Sequence, residues 1–578
     1  MRLRPDSGTR LVAGGAVLVG GSPVRVLRLT GAGARQVAGW FAGVPIPDSA
    51  GARALARRLL DAGIAHPDLA PVAPVVAPVA PVAPVGSVVA ASAGHPPAGP
   101  ADVTVVIPVK DRHTELARCL AGLAGLAGLP GVLGGDAPRV VVVDDASADS
   151  RAIARICARY GADVIRRDVN GGPGAARNTG LAAATTGLVA FLDSDCVPTP
   201  GWLGRLLPHF TDPAVGAVAP RIVPYESGTG WLARYEGASS TLDMGARPSI
   251  VRPAARVSYV PGAALVVRRS AAGAGFAPDM YVGEDVDFIW RLAAAGWRVR
   301  YEPAATMAHD HRVAFRAWFA RRADYGTSAA ALEQLHPGAV RPFYVSWWTV
   351  GAWAAALSGR PVTAAAVTGT ATALLARRLS AVTGERWPVP GITRRARGQA
   401  ADREDSGASS IPGWGQCSTI PASPRHAADN SKKRSRWVAL REAVGWREGV
   451  IWPAAVAGRE AVAGRETVAW RLALRLAGGG TVAAGRPLGS ALSRTWWPLA
   501  IPAAIVVPKL RVPVAALVLV PPLLDWADRR PPLDPARYVA ARLLDDAAYS
   551  LGVWKGCLDR RTLRPLLPVI GARPHQPS

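Results

Sequence analysis

An α/β domain organised around parallel strands is what this 578-residue sequence predicts, and three observations predict it. Short, continuous apolar runs recur at residues 103–109, 139–143 and 188–192. Segments that are apolar at helical spacing lie between them. Each run ends in polar, mostly acidic residues: Lys110-Asp111-Arg112, then Asp144-Asp145, then Asp193-Ser194-Asp195. Unbroken apolar runs indicate strands buried on both faces, and alternation with helices indicates parallel βαβ units.

The elements follow in order. After the first strand a helix over 115–129 carries Leu116, Leu120 and Leu123 on one face. A second strand, a helix over 152–160 and a third strand over 162–165 come next. The turn Asn170-Gly-Gly-Pro-Gly-Ala-Ala-Arg177 feeds another helix, which leads to the strand closing at Asp193. This β-α-β-α-β-loop-α-β order sets acidic residues at three carboxyl ends, the edge at which open α/β sheets take ligands. Two carboxylates at the last end suit a hard divalent cation held against a diphosphate. An isolated acidic triplet is equally a solvated turn, and the signals on both sides weigh against that reading.

Val105-Val-Ile-Pro-Val109, Val143-Asp-Asp-Ala-Ser147, Gly174-Ala-Ala-Arg-Asn178, Asp193-Ser-Asp195 and Gly283-Glu-Asp285 together resemble, in register, the motifs of inverting family 2 glycosyltransferases. The resemblance covers roughly residues 101–330, within a domain expected at 101–335. It implies a GT-A fold, a nucleotide-diphosphate sugar donor and a Mn2+ or Mg2+ ion. Asp195 is then the direct metal ligand, with Asp193 on the ribose or a metal-bound water. Asp144 and Asp145 correspond to the pair on base and ribose. Pro108 and Asp111 border the same base, and Arg177 contacts the base or a phosphate oxygen unless it is a surface arginine at a helix start. Inversion requires a base opposite the leaving group; the resemblance assigns Asp285 to it, with Glu284 as its orienting neighbour and Asp287 as a helix cap. In His309-Asp310-His311-Arg312 the family supplies one histidine to the metal, here His309 in preference to His311. The helix at 314–332 carries Arg316, Trp318, Arg321 and Arg322, suited to phosphate or to a solvated face.

Residues 1–67 have separate punctuation. Apolar pieces flank Gly14-Gly15, Val24 to Leu29 alternates with arginines, and helices are expected after Thr30 and from Ser49 to Ala62, stopped by Gly63. The pattern resembles a small winged-helix-like α+β module, more loosely the PqqD-like modules that take a peptide as an added strand; an uninvolved folded cap is the alternative. The Ala-Pro-Val repeats within 68–100 read as an extended spacer. The 336–387 segment is apolar and helical, 388–436 has the composition of a disordered insertion, and 437–578 reads as helical and membrane-apposed or packed on the central domain. Its apolar pieces are each shorter than the ~20 residues of a spanning helix, and Lys509 and Arg511 interrupt the last pair. Residues 534–561 read as one more amphipathic helix.

A net charge of +25, from 67 Lys and Arg against 42 Asp and Glu, favours anionic partners such as nucleotide sugars or an anionic membrane surface. No helix suited to base readout is apparent, so no nucleic acid is expected. Five scattered cysteines without metal-ligand spacing point to a reducing cytoplasm, with peripheral attachment to the inner face of the membrane as an addition. The N-terminal pattern, the five motifs and the endings Trp496-Trp497-Pro498-Leu499 and Leu533-Asp-Pro-Ala-Arg-Tyr538 together resemble the mycofactocin-system glycosyltransferases of actinobacteria. That resemblance implies transfer of glucose from UDP-glucose to a peptide-derived redox cofactor, as a β-1,4-glucan. A lipid-linked or cell-wall glycan acceptor is the alternative within the chemistry, and a non-catalytic peptide-binding scaffold the alternative outside it.

Overall fold

The computed structural model describes residues 1–69, 98–126, 137–226, 228–383 and 468–571. Most of the 68–100 spacer, the whole 388–436 insertion and the start of the 437–578 region lie outside the described residues.

Residues 1–69 form a small α+β unit. β1 (Arg2–Pro5) pairs antiparallel with β5 (Ala65–Asp68), and β2 (Arg10–Val12), β3 (Val17–Gly20) and β4 (Arg25–Arg28) make a three-stranded meander. The helices Gly31–Phe41 and Ala50–Asp61 start where small hydroxyl residues satisfy otherwise unpaired N–H groups: Thr30 Oγ1 accepts from Gly33 and Ser49 Oγ from Ala52. Trp40, Leu59 and Ile64 fill the core. The unit is tied to the central domain by charge. Asp6 lies 3.1 Å from both His66 Nε2 and Arg256 Nη2, and Arg298 reaches Asp61 and Asp212. Burial alone would raise the Asp6 carboxyl, but His66, Arg256 and the Gly8 N–H hold it well below the usual range.

Among the described residues the central sheet has nine strands. β6 (Val103–Val109), β7 (Arg139–Asp145), β8 (Asp163–Arg167) and β9 (Leu188–Leu192) run parallel. β10 (Cys196–Pro198), β11 (Val215–Pro224), β12 (Ser249–Val251), β13 (Ala264–Arg268) and β14 (Arg298–His309) complete it, in the order β10-β14-β11-β13-β9-β6-β7-β8 with β12 beside β14. The expected parallel half is present, but β13 turns the sheet antiparallel beside β9 and β11. Each β6 residue is buried, and its side chains divide between two cores: Val105 and Ile107 meet Leu116 and Leu120 on one face, while Val106 joins Phe191, Phe276 and Phe288 on the other.

The C-terminal region is helical and docks on the helix Phe315–Leu335. The partner is the helix Pro535–Asp559, N-capped by Asp534. Their backbones approach so closely that a Cβ at Gly326 would collide with the Tyr549 carbonyl oxygen, and one at Gly552 with that of Ala323. Small residues permit this approach, and it buries charge. Arg322 reaches Glu236 and lies 3.1 Å from Asp545 Oδ1, to whose other oxygen the Tyr235 hydroxyl donates at 2.9 Å. Residues 534–561 thus hold the expected amphipathic helix, its buried face on Phe315–Leu335 and Leu544, Leu551 and Leu558 exposed.

The helices Trp497–Val506 and Arg511–Arg529 are separated by a short break, and Ile505, Val506 and Val512 are exposed. Among the described residues one helix, Pro508–Arg529, is long and apolar enough to cross a membrane, with Pro521 and Pro522 inside it. Packing at the glycine contact is directly testable. Gly552→Val is expected to lower stability by about 3 kcal/mol, read as the urea midpoint; an unchanged midpoint would contradict the backbone contact.

Candidate active site

Strand order locates the site. From β6 the chain moves outward to β7 and β8, then returns to place β9 on the other side of β6. Loops diverge at such a switch point and leave a crevice at the carboxyl ends. β6 and β9 pair from Val103↔Leu188 to Val106↔Phe191, so Pro108 stands where the two strands have already parted. A cavity of about 590 Å³ opens there. Pro108, Asp145, Arg177 and both acids of the Asp193-Ser194-Asp195 triplet line it, and Glu284, Asp285 and His309 complete the acidic side.

Register brings the last residues together. Antiparallel pairing sets Cys196 opposite His309, and the Asp310 N–H donates to the Asp195 carbonyl at 3.1 Å. His309 Nε2 therefore lies 3.5 Å from Asp195 Oδ1, an oxygen that is buried without a hydrogen-bond partner among the described residues. Asp195, Cys196 and His309 offer oxygen, sulfur and nitrogen donors within 4.8 Å of one another. Such an orphaned carboxylate oxygen beside an imidazole fits a divalent cation. Burial works to raise the Asp195 carboxyl, and His309, Arg112 and Arg312 outweigh it and hold it low. The Cys196 thiol is pushed well up by burial and stays protonated, a poor partner for a hard cation. His311 Nδ1 sits 3.2 Å from His309 Nδ1; burial first, then His309, takes His311 down to about 4, so it remains neutral.

Arg177 joins the two acidic motifs. It is 3% exposed, and its terminal nitrogens donate to Asp193 Oδ1 at 2.6 Å and to Glu284 Oε1 at 2.9 Å. Both are engaged within the protein, where the sequence suggested a base or phosphate contact. Burial would drive the guanidinium toward neutrality, and the carboxylates around it reverse that. Burial pushes the Glu284 carboxyl up, with Asp285 adding to the effect and Arg177 opposing it.

Asp285 is held differently. It lies in the first turn of the helix Glu284–Ala294, whose N-cap Gly283 has φ 84° and so little room that a Cβ would press on Ser328. Asp285 Oδ1 accepts from the Val286 N–H and Oδ2 from the Gly262 N–H, both at 2.8 Å. The carboxylate is oriented by backbone, half-exposed on the cavity, and carries no ion pair among the described residues. Asp287 is not a cap: it lies 2.9 Å from His336 and 2.8 Å from Arg291.

The nucleotide-side residues separate. Asp145 lines the cavity and accepts from Arg167 and from the Gly171 and Gly172 N–H groups, which pins the glycine-rich turn. Asp144 lies outside the cavity lining, buried against Arg166 and the Ser147 N–H. Adjacent strand residues face opposite ways, so one of the pair must turn from the crevice. Asp111 also lies outside the lining and laces two loops, accepting from the Ala148 N–H at 2.7 Å. Of the helix arginines, Arg316 is exposed, Arg322 is a structural tie, and Arg321 lines the cavity with its Nε buried and unpartnered among the described residues. The sequence reading missed Tyr259, Arg494 and Tyr549, which also line the cavity. No motif flags them, because two of the three come from the C-terminal region.

A model of the Glycosyl transferase family 2 matches residues 104–273. The chain is 35% identical over 577 residues to the pre-mycofactocin glycosyltransferase of Mycobacterium tuberculosis, covering 98% of this chain and 97% of that relative. It is also 35% identical over 113 residues to the succinoglycan biosynthesis protein ExoU of Rhizobium meliloti, 19% of this chain and 31% of that one. Among solved structures it is similar to a mannosyltransferase from Pyrobaculum calidifontis in complex with GDP-Man and Mn2+, at 22% identity and TM-score 0.31 over 47% of this chain and 75% of that one. With its mixed sheet and carboxylate-lined switch point the central domain is a GT-A transferase domain. The chain belongs to family 2 of the glycosyltransferases, in the same family as the pre-mycofactocin glycosyltransferase.

Proposed function

We propose that this glycosyltransferase moves glucose from UDP-glucose onto the peptide-derived redox cofactor mycofactocin or its precursor, with inversion, and extends the product as a β-1,4-glucan. The near full-length likeness to a pre-mycofactocin glycosyltransferase supports the acceptor. The observation that carries the chemistry is the pairing, within one cavity, of a backbone-oriented, unpaired Asp285 with the buried Asp195–His309 couple.

In this reading Asp195 and His309 hold Mn2+ or Mg2+, which when bound offsets charge on the departing diphosphate. Arg312 and Arg321 receive the same anion. Burial lowers the Arg312 guanidinium and neighbouring Arg321 and Arg112 lower it further, a crowding of positive charge that an anion relieves. Asp145 and Asp193 face the nucleotide. Asp285 takes the proton from the acceptor hydroxyl as that oxygen attacks the anomeric carbon from the side opposite the diphosphate. Glu284 and Arg177 keep Asp285 and Asp193 in fixed relation.

The exposed apolar turn between the helices Trp497–Val506 and Arg511–Arg529 carries Lys509 and Arg511 beside Val506 and Val512. Basic residues flanking exposed apolar ones suit an anionic lipid surface, and this supports peripheral attachment.

Two outcomes test the proposal. Asp285→Asn is expected to cut transfer by about 10²- to 10⁴-fold while calorimetry shows UDP-glucose binding retained; near-parental turnover would remove Asp285 as base. EDTA should abolish transfer and Mn2+ restore it, with His309→Ala shifting the Mn2+ titration to higher concentration; activity indifferent to chelation would remove the metal. For attachment, the protein should co-sediment with phosphatidylglycerol vesicles and lose this on Val506→Asp with Val512→Asp. Equal sedimentation of the variant would exclude the turn as the contact.

A further inference from the structure

Two arginine–tyrosine pairs line the cavity. Arg321 lies 5.0 Å over the Tyr325 ring and Arg494 lies 4.4 Å over the Tyr549 ring. The first pair comes from the helix Phe315–Leu335. The second comes from the C-terminal region, more than 150 residues further along the chain by number. Tyr259 joins them from the loop that also supplies Gly262 to Asp285. All five side chains line the cavity that holds Asp285.

We propose that Tyr259, Tyr325 and Tyr549, with Arg494 stacked on Tyr549, form the acceptor subsite, and that the C-terminal region is therefore part of the active site. The proposal rests on the transferase reading above and adds to it the face on which the acceptor lies. Rigid aromatic side chains give contact area at little entropic cost. Their negative ring faces receive the C–H face of a sugar or the edge of an aromatic ring. The ligand class is thus a hydroxyl-bearing ring that presents C–H groups to an aromatic face, either an aromatic aglycone or the terminal pyranose of a growing chain.

Three features hold the subsite rigid. Gly326 brings the backbones of Tyr325 and Tyr549 together, since any Cβ there would collide with the Tyr549 carbonyl. Arg494 is 3.4 Å from the buried Asp546, whose other oxygen accepts from Ser493 at 2.6 Å. Trp554 Nε1 donates to the Thr495 carbonyl at 2.7 Å, fixing the helical segment Leu492–Trp496 that carries Arg494. Tyr259 is pushed up to about 12 by burial and then by Asp285, so its hydroxyl keeps its proton beside the base.

The test uses full-length protein and p-nitrophenyl β-glucoside, a probe with both an aromatic and a pyranose face, followed by saturation-transfer NMR. Tyr549→Ala and, from a different helix, Arg494→Met should each weaken probe binding by about 10-fold, with Tyr549→Phe near parental and Mn2+-dependent UDP-glucose binding unchanged. Probe affinity that is unaltered in both variants, or absent in the parent, would overturn the subsite. Transfer in the saturation pattern distinguishes the two sources: contacts on the nitrophenyl protons indicate an aglycone face, contacts on the glucose protons a chain-extension face. Parental probe binding without any sugar transfer would count against the function proposed above and leave the subsite standing.

Discussion

The buried guanidinium of Arg177, held between Asp193 at 2.6 Å and Glu284 at 2.9 Å, is the constraint on which the site depends. Five carboxylates converge on this cavity, and without interposed cations their mutual repulsion and desolvation would open it. Arg177 answers two of them, Arg112 answers Asp195, and Arg167 answers Asp145. Removing one partner of such a buried pair costs about 3–5 kcal/mol, because the other charge is left uncompensated. That cost explains why Arg177 is spent on protein carboxylates. It also leaves Asp285 held by the Gly262 and Val286 N–H groups, with no ion pair among the described residues.

Where the acidic residues would fall was legible, because each closes an unbroken apolar strand. The helix starts near Thr30, Ser49 and Asp534 were legible, and in each case that residue's side-chain oxygen caps the helix. The division of Asp144 from Asp145 was implicit in the two-residue period of a strand but was not drawn from it. The antiparallel half of the sheet was not legible. β13 is as continuously apolar as the parallel strands, and nothing local to residues 264–268 shows that this strand runs backwards against β9 and β11.

The C-terminal region resisted reading because its role is set by tertiary contact. Gly326, Gly552 and Gly556 are unremarkable in sequence, yet each lies where a side chain would strike the facing helix. Arg494 and Tyr549 acquire meaning through that contact, which turns an apparently peripheral helical tail into a wall of the cavity. The small N-terminal unit is attached by a different means, the Asp6–Arg256 and Asp61–Arg298 pairs, which leave its β2 and β4 edges outside the central sheet.

The most direct measurement is mass spectrometry of the purified protein incubated with Mn2+, UDP-glucose and the peptide-derived cofactor precursor. A ladder of hexose additions that disappears in Asp195→Ala is the predicted result, since in the proposed function that carboxylate would hold the cation in every round of transfer. Acceptor mass unchanged while UDP-glucose is consumed, or a ladder that persists in Asp195→Ala, would contradict it.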